Sequence, residues 1–159
     1  MVIEDQPAWA PHLRSKSVLR NAAKRHFSDP SLAVAALRAT PARLLEDFEL
    51  FGLLFESMVV RDLRIYAQAA DAVVYHYRDN TNLEIDAIVE TASGRWAAFE
   101  AKLGHGQIDD AAANLLRFAG RVNTKRSGKP ATLVVIVATG YGYTRDDGVA
   151  VIPIGAMGP

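Results

Sequence analysis

The chain has 159 residues, 18 basic and 18 acidic side chains, four histidines and no cysteine. Half of it is hydrophobic, enough for one domain with a real core. The missing cysteine excludes a disulfide framework, a cysteine-ligated zinc finger and a cysteine nucleophile. No apolar run approaches the ~20 residues of a membrane span, and Glu4, Asp5 and Pro7 stand where a signal peptide would need an apolar segment. A cytoplasmic domain that does not enter membranes is therefore expected.

The neutral total hides segregation. Gln6 to Ser28 has no acid but carries Arg14, Lys16, Arg20, Lys24 and Arg25; Ala111 to Arg145 again has none. The acids gather between Asp29 and Asp110. Basic flanks around an acidic centre suit an enzyme that holds phosphates at its edges and a cation in the middle. They equally suit ordinary solvated surfaces.

Met1 to Pro11 shows no clear period, and Ser15 to Phe27 reads as a short basic helix. Asp29-Pro30 and Thr40-Pro41 are helix-start signals, an N-cap followed by proline. From Ala42 to about Ala69 the apolar residues recur at helical spacing, and Asp71 ends the run. Ala72 to Arg78 reads as a strand, Asp79 to Asn82 as a polar turn, and Leu83 to Glu90 as a second strand. Ser93-Gly94 marks the next turn, and Trp96 to Leu103 is a third strand. Gln107 to Ala119 is helical again, and Gly120 to Pro130 is a basic loop. Ala131 to Thr139 reads as a strand buried on both faces, and Gly148 to Ile154 as a last short one, with a frayed end beyond. Short turns make the first three strands antiparallel, and the strand after the second helix returns parallel through a right-handed crossover. The expected fold class is α/β, a mixed sheet flanked by helices, preceded by a short helical extension.

Four polar residues stand out. Glu56 has Gly52, Leu53, Val59 and Val60 three and four residues away, which puts it at the apolar side of its helix. A three-residue loop Ala92-Ser93-Gly94, with Gly94 left-handed, pairs residue i with residue 186 − i. Asp86 then faces Glu100, and Glu84 faces Lys102, all on one face, with Ile85, Ala87, Val89, Phe99 and Ala101 on an apolar opposite face. Two facing carboxylates repel; they are a poor choice for stability and a good one for a divalent cation. The bland alternative is a solvated polar face with a Glu84–Lys102 ion pair.

Asp86, then Glu100-Ala101-Lys102 on the next strand, with Glu56 on the preceding helix, resembles the PD-(D/E)XK nuclease signature. The element order resembles that superfamily's restriction-endonuclease-like αβββαβ core. Phe51 to Ser57, Glu84 to Glu90, Trp96 to Gly104 and Ala112 to Phe118 also resemble a prokaryotic family known as domain of unknown function four-one-four-three, which usually follows an AAA+ ATPase module. Trp9 to Pro30 resembles that family's approach to the domain, so residues 1–40 are expected to be a basic extension, the remnant of a linker or winged-helix-like segment, and residues 41–159 the nuclease-like domain. The chain holds no Gly-x-x-x-x-Gly-Lys-Ser/Thr loop, so no nucleotide-binding role is carried over.

The resemblance implies Mg²⁺ or Mn²⁺ held by Asp86 and Glu100, with Glu56 binding through water and the Ala101 carbonyl as a further ligand. Lys102 would position the attacking water or help deprotonate it, and Gln107 would support the site. Arg117, Arg121, Lys125, Arg126, Lys24 and Arg25 are the candidate nucleic-acid contacts. The expected function is Mg²⁺-dependent hydrolysis of DNA. The alternative is a catalytically silent DNA-binding or protein-docking module, the C-terminal part of an ATPase-associated protein. The expected partners are DNA and an ATPase module or another protein, with no membrane; a homo-oligomer is compatible with the sequence.

Overall fold

The computed structural model describes residues 3–11 and 22–158. It opens with two short strands, β1 (Ile3–Gln6) and β2 (Lys24–Phe27), and three helices, α1 (Pro30–Ala36), α2 (Pro41–Glu46) and α3 (Phe48–Ala69). Strands β3 (Ala72–Arg78), β4 (Glu84–Thr91) and β5 (Trp96–Lys102) follow, then α4 (Ile108–Arg121) and the short α5 (Thr124–Ser127). Strands β6 (Leu133–Val137), β7 (Tyr143–Thr144) and β8 (Ala150–Pro153) complete it.

Strands β3 to β8 form one mixed sheet, order β3-β4-β5-β6-β8-β7. The pairs β3/β4, β4/β5 and β8/β7 are antiparallel, and β5/β6 and β6/β8 are parallel. Helix α3 covers one face, where Phe55, Val59 and Leu63 pack with Ala87, Val134 and Ile136. Helix α4 covers the other, where Leu115 and Phe118 pack with Ile88, Trp96 and Val135. Strand β6 is buried at all five positions, which is why its sequence is a continuous apolar run rather than an alternating one.

The N-terminal segment departs from expectation. Residues 12–21, most of the expected basic helix, lie outside the described residues. Its end, Lys24–Phe27, is a strand paired antiparallel with Ile3–Gln6. Lys24 and His26 turn inward while Arg25 between them is exposed, so the period here is two and not 3.6. Trp9 is buried in the α4-side core, its ring centroid 5.0 Å from that of Trp96 and 5.9 Å from that of Phe118. Trp9 thus joins the β1–β2 end of the chain to the core under α4.

The long expected helix is two helices. Asp47 adopts φ −122° and ψ 79°, and its side chain accepts a hydrogen bond from Leu50 N at 3.0 Å, capping α3. A residue with a short polar side chain that bonds its own backbone interrupts a helix that periodicity alone would run through.

The β4–β5 hairpin has the expected register, with Ala87 opposite Phe99 and Glu90 opposite Trp96, and Gly94 is left-handed at φ +78°. On its other edge β4 carries an irregularity. Tyr75 pairs with Ile88 and Tyr77 with Ile85, so His76 alone opposes both Asp86 and Ala87. This bulge shifts the face on which side chains fall: Ile85 joins the α4-side core and Ala87 the α3-side core. The expectation that both share one face is corrected by that extra residue. Glu100's own face is also no solvated surface, since Trp96 and Ala98 on it are buried.

Candidate active site

Asp86 sits in the β4 bulge, where ladder pairing with β5 has ended. Its Oδ2 takes the place of a ladder acceptor, receiving the Ala101 N–H at 2.9 Å. The same oxygen lies 3.4 Å from Lys102 Nζ, and Lys102 Nζ lies 2.7 Å from Glu100 Oε2. One ammonium therefore bridges Asp86 and Glu100, although the observed ladder ends at Ala87–Phe99 and does not pair them. Asn114 of α4 holds the far side of Glu100, donating to Oε1 at 2.8 Å while also donating to the Glu84 carbonyl at 2.7 Å.

Glu56 arrives from α3 and shares a cavity of about 810 Å³ with Asp86, Ala101, Lys102 and Gln107. Its carboxylate is not bonded to Lys102. Lys24 of β2 lies 2.6 Å from Glu56 Oε1 and 3.0 Å from Glu84 Oε1. Glu56 Oε1 is buried, and the Lys24 ammonium is the positive group it faces. The expected Glu84–Lys102 pair does not form: Glu84 is engaged by Lys24 and, at 3.7 Å, by Arg78. With the β4–β5 ladder ended before Asp86, Lys102 is free to reach across to Asp86 and Glu100 instead.

Four carboxylates, Glu56, Glu84, Asp86 and Glu100, thus crowd around two ammonium groups, Lys24 and Lys102. Burial, then the Asp86 charge, pushes the Glu100 carboxyl up to about 8, against the pull of Lys102 and Asn114. Burial and Asp86 likewise push Glu56 up to about 7, against Lys24. Both lysines lose hydration by burial, yet the carboxylates outweigh it and hold each ammonium above the ordinary lysine range. Lys102 is therefore a firmly charged group, suited to offset negative charge and hold a water in place. A general base would need the opposite shift.

A buried polar network ties the β1–β2 pair to this site. Gln6 is fully buried and its Nε2 donates to the Tyr75 carbonyl at 2.9 Å and the Asp86 carbonyl at 3.0 Å. Gln6 Oε1 must then accept from His26 Nε2, at 2.8 Å, which leaves His26 Nδ1 to accept from Ser57 Oγ at 3.3 Å. Burial first, then Lys24 and Arg64, pushes His26 down to about 4, so it stays neutral in this role.

The expected nucleic-acid contacts fall into three groups. Arg117 lines a second cavity, about 510 Å³, with Glu100, Lys102 and Asn114. Lys125, Arg126 and Arg25 are exposed. Lys24 is inside the acid cluster, and Arg121 is bonded to the fully buried Asp79 at 2.7 Å and to Thr81 Oγ1 at 2.7 Å. Gln107 stands at the rim of the larger cavity, at the start of α4. Sequence reasoning missed two participants. Asn114 falls among Ala111, Leu115 and Phe118 on the buried stripe of α4, a polar residue in an apolar period, and that was a readable signal. Lys24 gave none, because its strand was read as a helix.

The family model for a domain of unknown function (DUF4143) matches residues 51–157. The chain belongs to that family. The matched span contains Glu56, Asp86, Glu100 and Lys102, whereas Lys24 precedes it. A search of curated proteins and a search of solved structures each found no match. No helix among the described residues is long and apolar enough to cross a membrane.

A divalent cation is implied by the nuclease resemblance. Among the described residues no three histidine or acidic side chains stand together as a ready metal cage. Mg²⁺ rarely uses one; it takes one or two carboxylates and completes its shell with water and phosphate oxygens. The donor chemistry fits that mode: the hard oxygens of Glu56, Glu84, Asp86 and Glu100 outnumber the ammonium groups of Lys24 and Lys102 beside them. Asp86 and Glu100 are the residues that would hold it.

Proposed function

We propose that this domain is a divalent-cation-dependent nuclease of the PD-(D/E)XK type, with a restriction-endonuclease-like core, hydrolysing DNA phosphodiester bonds. The observation that carries the reading is the bridge of Asp86 Oδ2 and Glu100 Oε2 by Lys102 Nζ at 3.4 and 2.7 Å, at the mouth of a cavity. When bound, the cation polarises the scissile phosphate and acidifies a water. The Lys102 ammonium orients that water and offsets charge developing on the phosphate. Asn114 keeps Glu100 from rotating away, and Arg117 at the second opening contacts the phosphate chain. Lys125, Arg126 and Arg25 extend a sequence-independent backbone contact.

Purified protein is to be incubated with single- and double-stranded DNA and Mg²⁺ or Mn²⁺, beside Glu100→Ala. Cation-dependent cleavage by the wild type alone is expected. Equal background from both proteins overturns the hydrolase.

Two observations favour a silent DNA-binding or protein-docking module, attached to an AAA+ ATPase: Lys24 already engages Glu56, and exposed Leu45, Phe48 and Leu53 border the same cavity. DNA affinity indifferent to Mn²⁺ and to Glu100→Ala would favour that reading.

A further inference from the structure

We propose that Lys24 is the built-in counter-ion of this site and competes with the divalent cation for Glu56. The inference rests on the nuclease reading and deepens it by adding a residue that sets cation affinity from outside the αβββαβ core.

The position of Lys24 is constructed. Strand β2 alternates, so Lys24 and His26 fall on the same side, toward α3. There His26 is bonded to Ser57, and Lys24 meets the neighbouring residue, Glu56. Pairing with β1 fixes the strand, and Gln6 of β1 donates to the carbonyl of Asp86 itself. The strand pair that carries the ammonium is thus fastened to the bulge that carries the carboxylate.

The competition follows from charge and space. Lys24 Nζ lies 2.6 Å from Glu56 Oε1 and 3.0 Å from Glu84 Oε1, and it feels Asp86 as well. A cation seated by Asp86 enters the same anionic well. Two positive centres a few ångströms apart repel strongly where water is scarce. Glu56 can orient a metal-bound water only with an oxygen that is not covered by the ammonium. The four-carbon stem of Lys24, a quarter exposed, allows the ammonium to swing outward without unfolding β2. On this view Glu56 changes partner as the cation arrives, from Lys24 to a water of the metal shell.

The test measures binding, not turnover. Mn²⁺ is titrated calorimetrically into the full chain, into Lys24→Met, which keeps the stem, into Lys24→Arg, which keeps the charge, and into Glu100→Ala. Lys24→Met is expected to bind Mn²⁺ at least tenfold more tightly than wild type, Lys24→Arg within about threefold of it, and Glu100→Ala far more weakly. Amine acetylation of the wild-type protein, read by mass spectrometry, gives a second measurement that needs no variant to fold. Lys24 should be protected without Mn²⁺ and labelled at saturating Mn²⁺. If wild type binds Mn²⁺ through Glu100 but Lys24→Met binds no more tightly, or Lys24 labelling is unmoved by Mn²⁺, the competition is overturned while the metal reading stands. If no protein in the set binds Mn²⁺, both fall.

Discussion

Replacing Arg121 by Ala separates a fold residue from a phosphate contact. By composition Arg121 belongs to the basic flank, but its guanidinium caps the Asp79 carboxylate, which is fully buried and also accepts from Thr81 N and Oγ1 at 2.7 Å each, from Leu83 N at 3.2 Å and from Tyr77 Oη at 3.1 Å. Breaking a buried ion pair by removing one partner costs ~3–5 kcal/mol. Two features reduce that here. Asp79 keeps its four other donors, and Arg121 is 30% exposed, so water can partly replace it. About 2 kcal/mol is the expected loss, or roughly 4–8 °C in Tm for a domain of this size. The pH dependence carries a sign. Burial opposes ionisation of Asp79, but the hydrogen bonds from Thr81, Leu83 and Tyr77 outweigh it and hold the carboxyl below the usual range. Its stabilisation is therefore complete above the unfolded value, roughly 4, and is lost as pH falls through the lower folded value. The gap between wild type and Arg121→Ala, followed by urea unfolding from pH 7 to pH 2.5, should close below pH 4. A variant as stable as wild type at pH 7 but weakened in DNA binding would refute the reasoning and return Arg121 to the phosphate contacts.

Two other perturbations test the site's electrostatics. Glu56 and Glu100 have folded values raised to about 7 and about 8, so the native state holds more protons than the unfolded chain between about pH 4.5 and 8, and stability falls as pH rises through that window. His26, pushed down to about 4, acts oppositely, withdrawing stability as pH falls from about 6.5 toward 4. Two raised glutamates outweigh one lowered histidine, so the metal-free protein should be most stable near about pH 4.5 and lose Tm steadily from there to about pH 8, and Glu100→Gln should flatten that decline; a wild-type Tm that climbs from about pH 6 to 8.5 contradicts this. Asn114→Leu removes a hydrogen bond to a buried carboxylate and one to a carbonyl, and should cost about 2 kcal/mol in chemical unfolding. A cost under about 0.5 kcal/mol would mean that Asn114 does not hold Glu100.

The strands and the hairpin register were legible because two local signals agree. Gly94 fixes the loop conformation, and loop length then fixes every pair from Ala87–Phe99 to Glu90–Trp96. The parallel β6 was legible from apolar continuity. Strands β1, β2 and β7 and the short α5 were not. A two-residue strand such as Tyr143–Thr144 has too few positions to express a period. Strand β2 reads Lys-Arg-His-Phe, whose inward residues are a lysine and a histidine. A hydrophobicity rule cannot see a strand whose buried face is polar, and this face is polar because it meets carboxylates and a glutamine rather than a core.

The same cause explains which half of the site could be read in advance. Asp86, Glu100 and Lys102 lie on one hairpin, so their nearness was readable although the bulge decides how they meet, and Glu56 betrayed itself as an acid at an apolar position. Lys24 and Asn114 reach the cluster from elements distant in sequence, through tertiary packing that no spacing encodes. Both pull against the burial and the Asp86 charge that raise Glu56 and Glu100. Lys24 draws Glu56 and Glu84 away from the Asp86–Lys102–Glu100 bridge, and Asn114 pins Glu100 into it. The crowded carboxylates are held as two pairs, Glu56 and Glu84 by Lys24, Asp86 and Glu100 by Lys102. The β4 bulge makes that division workable: it aims Asp86 Oδ2 at the Ala101 N–H within the plane of the sheet. Glu100 is thereby left to the α4 side, where Asn114 waits, and Glu56 to the α3 side, where Lys24 enters. A flat, unbulged β4 would have set Asp86 and Glu100 face to face on one surface, with repulsion and no such partition.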